Sequence, residues 1–167
     1  MTSSTNPALG AIRLAWWREA LERLDSKSPP PEPRLQAAAT ELLPRGISGK
    51  ALSELEDGYS TMLEERPDLK RVADRGARLF LLGAKLLGEK DDRLAEAGRL
   101  HALARVATAE NEVRQLAGHR FPRRLRPITA LARLAARDVR QGPRLEPEGT
   151  PGRALALLSH RLFGIVA

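Results

Sequence analysis

The chain has 167 residues, with 28 Lys and Arg, 21 Asp and Glu, and no cysteine. That length holds one domain with a real core, and the missing thiols exclude a disulfide scaffold and thiolate metal centres. Leu (28) and Ala (25) far outnumber Val and Ile, nine together; Leu and Ala lose little on entering a helix whereas strands favour β-branched side chains, so an all-α fold is expected.

The elements follow in chain order. A first helix from Leu9 to about Asp25 sets Leu14, Trp17, Leu21 and Leu24 on one stripe, widened by Ile12 and Trp16. Pro29, Pro30, Pro31 and Pro33 end it in a stiff connector. A short helix is predicted from Pro33 to Leu43, closed by Pro44-Arg45-Gly46. Ser48 can cap a third helix running to about Arg66, in which Gly58 marks a close contact. Leu69 to Leu87 is a fourth, with Gly88 in the terminating position. Asp91 or Asp92 can cap a long fifth helix through about Ala117. The sixth, Pro127 to Gln141, is expected to bury Ile128, Leu131, Leu134 and Val139. Thr150-Pro151 opens a last helix through Phe163. Seven helices on short connectors describe a single-domain bundle.

The net charge of +7 is uneven: residues 1–112 sum to −1, with 17 basic and 18 acidic side chains. Residues 113–167 hold 11 Arg against 3 acids, or +8. Guanidinium favours bidentate contact with phosphate or carboxylate, so an anionic partner is indicated. Arg126, Arg133, Arg137, Arg140 and Arg144 step by seven, four, three and four along one helical face. The first four are the candidate anion-binding residues, for a diphosphate or an anionic membrane surface; the plainer reading is a solvated helix face. With 4% aromatic residues, nucleic acid is disfavoured. Residues 1–10 carry no positive charge and no apolar run follows, so no secretory signal is expected; the address reads as cytoplasmic, peripheral to a membrane at most.

Catalytic signatures are weak. The seven Asp, at 25, 57, 68, 74, 91, 92 and 138, include no pair four apart, the spacing that turns two carboxylates toward one Mg²⁺. His101, His119 and His160 are isolated from one another, and no glycine-rich phosphate loop or nucleophile elbow is present. No catalytic residue, no metal ligand and no cofactor is assigned.

The run Ala11-Ile12-Arg13-Leu14-Ala15-Trp16-Trp17-Arg18-Glu19-Ala20-Leu21 resembles a helix of the squalene/phytoene synthase family. The connector Pro29 to Pro33 and the segment Arg75 to Gly88 are similar to later parts of that family, as are Ala97-Gly98, Leu103-Ala104 and the Pro151-to-Leu155 tail. The resemblance implies the isoprenoid synthase fold, in which aspartate-rich helices hold Mg²⁺ and prenyl diphosphates. Here the first aspartate motif would precede the tryptophan helix, and the second falls near Arg105 to Gln115, where Glu110 and Glu112 point to different helix faces. It therefore implies a degenerate, non-catalytic member acting as a binding or assembly factor, like a branch that assists assembly of a respiratory complex. The alternative is a prenyl diphosphate-using transferase, or a subunit of one, and only then would Mg²⁺ enter. Trp16 and Trp17 point about 100° apart; one ring can enter the core while the other is the candidate contact for a second copy or another protein.

Overall fold

The computed structural model describes residues 7–142 and 146–167, and they fall into two compact units that divide between Arg75 and Gly76. Among the described residues the architecture is all-helical, with no strand and no helix long and apolar enough to cross a membrane.

In the first unit α1 (Pro7–Arg23) packs on α3 (Gly49–Ser53) and α4 (Glu56–Ser60). Its apolar stripe meets α2 (Pro33–Ala37) in a core of Ala20, Leu24, Leu35 and Ala38, with Trp17, Leu21 and Leu52 packed against it. Glu32 caps α2 through the Leu35 amide, and the chain then widens into a π-turn at Ala38–Leu42 before Gly46 reverses it. Asp25 receives the Gly49 and Lys50 amides at 2.6 and 2.9 Å, and Ser48 caps α3.

The expected single helix from Ser48 to Arg66 is broken into α3, α4 and a 3₁₀ turn at Thr61–Leu63. Ser53 lies at the first break: its hydroxyl donates to the Lys50 carbonyl and so competes with the helix ladder. Gly58 does mark a close contact, since a Cβ there would meet Arg75 Cβ and the Arg71 carbonyl. Arg71 bridges Asp57, Glu64 and Ser60, and Arg75 lies over the Tyr59 ring at 4.2 Å.

α5 (Leu69–Leu87) has the bounds the sequence indicates, closed by Gly88 at φ 63°. Its later turns cross α6 (Leu94–Leu103) where Gly76 and Gly98 meet; a Cβ on either would strike the other's carbonyl. The long fifth helix of the sequence reading is instead α6 and a short α7 (Glu110–Gln115). The ladder closes at Leu103, whose carbonyl receives both the Val106 and Ala107 amides, and Ala109 is fully buried in the turn. Phe80, Leu94, Leu100, Leu116, Phe121, Leu125 and Val166 are the most deeply buried large apolar side chains of this second unit.

α8 (Arg126–Gln141) packs on α6 and on α9 (Pro151–Phe163). The larger apolar side chains predicted for its core face do not form it: Leu131 is exposed, and Ile128, Leu134 and Val139 are half-buried. Thr129, Ala132, Ala135 and Ala136 are buried instead, because small side chains let two neighbouring helices approach together.

Candidate functional site

The arginines singled out in the sequence lie along α8, and three of them act inside the second unit. Arg126 donates from Nη1 to the Arg161 and Leu162 carbonyls at 2.8 and 3.0 Å, and from Nε to Phe121 O. It thereby caps the C-terminal end of α9, where unpaired carbonyls and the helix dipole favour a cation. Arg133 donates to the Val166 carbonyl at 2.9 Å, while its Nε is buried without a partner among the described residues. Burial first, and then the neighbouring cations Arg140 and Arg137, lower its pKa. Arg137 forms a two-pronged clamp on Glu146, at 2.6 and 3.2 Å. Thr150 donates to the same carboxylate at 2.6 Å, and with Arg137 it holds Glu146 at a pKa of about 2. Arg140 is exposed. Arg144 falls outside the described residues.

α9 reverses the usual polarity of a surface helix. Its buried side chains are Arg153, Ala156 and His160. Arg153 pairs with Asp138 of α8, their side chains 10% and 5% exposed. His160 Nδ1 lies 3.0 Å from the Ile165 carbonyl, which can only accept, so Nδ1 carries a proton; Nε2 lies 2.9 Å from the Thr129 hydroxyl, which also reaches the Leu125 carbonyl at 3.0 Å. Burial is the leading cause of a lowered His160 pKa, which favours the neutral ring. Leu155, Leu158, Leu162 and Phe163, by contrast, are more than half exposed, at 67, 53, 59 and 54%. Next to Leu162 lies a hollow of about 420 Å³ lined by Arg123, Arg126, Pro127 and Arg161.

Trp17 and Trp16 divide as their 100° separation requires. Trp17 packs on the first unit's core and lines an apolar hollow of about 360 Å³ with Leu14, Leu21, Leu35 and Tyr59. Trp16 meets Trp17 edge-on at 5.1 Å and is 47% exposed, on one stripe with Leu9 and Ile12. Beside that stripe Glu19 and Arg23 pair with each other and Arg13 is exposed, while Arg18 pairs with Glu22 and Glu56 on the far side of the helix.

Six of the seven aspartates are taken up in the same way. Asp25 and Asp68 hold backbone amides, and Asp57, Asp74 and Asp138 pair with Arg71, Lys70 and Arg153. Asp91 meets His119 Nε2 at 2.9 Å. Among the described residues no three His, Asp or Glu side chains come together as a metal-binding group. Sequence spacing missed Arg153–Asp138, because fifteen positions and a loop separate the partners, and missed the meeting of Arg123 with Arg161 for the same reason. No family model, curated protein or solved structure matches this chain.

Proposed function

We propose that this chain is a degenerate squalene/phytoene synthase-like protein that works as a binding or assembly factor and does not condense prenyl diphosphates. The observation that carries the reading is the outward stripe of Leu9, Ile12 and Trp16 on α1, the same helix that holds the family-like run. A Trp ring can bury roughly 150–250 Å², and a contiguous apolar stripe of this kind marks a protein contact. We take the occupant to be a second copy. Glu19 and Arg23 beside the stripe pair with each other, so Arg13 is the one flanking charge left unmatched among the described residues when two such faces meet. The commitment of Asp57, Asp74 and Asp138 to cationic side chains supports the non-catalytic part of the reading.

Sedimentation velocity at micromolar concentration tests it. The wild type is expected to associate, and Trp16→Glu is expected to be monomeric with unchanged helix content. A monomeric wild type would remove the second copy. Release of inorganic diphosphate from farnesyl diphosphate and Mg²⁺, by protein freed of contaminating synthase, would overturn the non-catalytic reading.

A further inference from the structure

We infer that the outward face of α9, with Arg123, Arg126 and Arg161 beside it, is a docking surface for an anionic lipid bilayer. Leu155, Leu158 and Leu162 stand three and four positions apart, so they share one face over about 10 Å of helix. Phe163 extends the apolar surface at the C-terminal end. These side chains lie on a convex helix whose polar face is turned inward, to Asp138, Thr129 and the Ile165 carbonyl. That is the disposition of an interfacial helix, with leucines toward the acyl chains and polar groups held away from them.

Charge identifies the occupant. Arg123 and Arg161 are exposed, and no carboxylate among the described residues pairs with either. Arg126 joins them in the hollow beside Leu162, so the apolar face is bordered by cations at one end. Anionic headgroups would meet them with phosphate oxygens, which suit the guanidinium fork, while the leucines bury in the same layer. The assignment is independent of the pairing of α1.

Flotation with vesicles tests it, using phosphatidylcholine alone and an equal mixture of phosphatidylcholine and phosphatidylglycerol. At low ionic strength the wild type is expected to float with the mixed vesicles and only weakly with phosphatidylcholine. High salt is expected to reduce the difference, since the Debye length falls to about 3 Å at 1 M. Arg123→Gln with Arg161→Gln should weaken binding to mixed vesicles by about 30-fold, roughly fivefold for each cation at an anionic surface. Leu158→Glu with Leu162→Glu should abolish binding to both vesicle types while circular dichroism shows the helices intact. Trp16→Glu should float like wild type, so a failure of the α1 reading is seen separately. Wild-type protein that ignores mixed vesicles at low salt overturns the inference and leaves the face to a protein partner. Unimpaired flotation of the leucine variant overturns it as well.

Discussion

Removal of the Asp138 carboxylate is the sharpest perturbation of the second unit. Arg153 and Asp138 are 10% and 5% exposed, so the pair lies where water cannot replace a lost partner. Asp138→Ala leaves a buried guanidinium uncompensated, and breaking such a pair costs about 3–5 kcal/mol. For a chain of this length each kcal/mol moves the melting temperature by about 2–4 °C, so a fall of about 6–20 °C is expected. Far-UV circular dichroism during heating and in urea reads both quantities. Asp138→Leu combined with Arg153→Met removes both charges and fills the space, and it should recover most of the loss. A cost under about 1 kcal/mol for Asp138→Ala, or a double variant that loses the sum of the two single losses, would refute the reasoning.

Acid dependence follows from two groups. The fold lowers the Glu146 carboxyl from 4.5 to about 2, so its stabilisation is complete above pH 4.5 and disappears as pH falls toward 2; Glu146→Gln should flatten that limb of a urea-midpoint profile. His160 is held below its ordinary 6.5, so the unfolded chain takes up the proton first and stability declines as pH drops below that value; its ring resonances should titrate below 6.5 by NMR. Gly98→Ala drives a Cβ into the Gly76 carbonyl and the Ala77 Cα, and should cost about 1–3 kcal/mol or more by the same unfolding assay.

The local punctuation of the chain was readable because it rests on backbone chemistry. Gly88 adopts the left-handed conformation that ends α5, and Thr150-Pro151 caps and starts α9. The breaks after Ser53 and Leu103 were not readable, since each depends on a hydroxyl or a buried turn that competes with a good helical pattern. Hydropathy points to Ile128, Leu131, Leu134 and Val139 as the buried face of α8, whereas contact with two helices at once favours its alanines. Periodicity gathers Arg126, Arg133 and Arg137 on one face but cannot distinguish water from the end of another helix as what they meet. The different fates of Trp16 and Trp17 were foreseeable in kind, because adjacent positions cannot both point inward, but which ring stayed outside depended on α2 and α3.

The polar underside of α9 changes what holds this helix in place. Leucine burial resists acid, but α9 adheres through Arg153–Asp138, the His160 contacts and the Arg137–Glu146–Thr150 clamp at its first turn. Two of those attachments weaken on acidification, as His160 takes up a proton and Glu146 loses its charge. Because Ala156 is the one fully buried apolar side chain of α9, its amides are expected to exchange ahead of those in α6, where Leu94, Ala97 and Leu100 are buried, a difference that hydrogen exchange reads directly. As the pH falls toward 2 the second unit is therefore expected to loosen from its C-terminal helix inward.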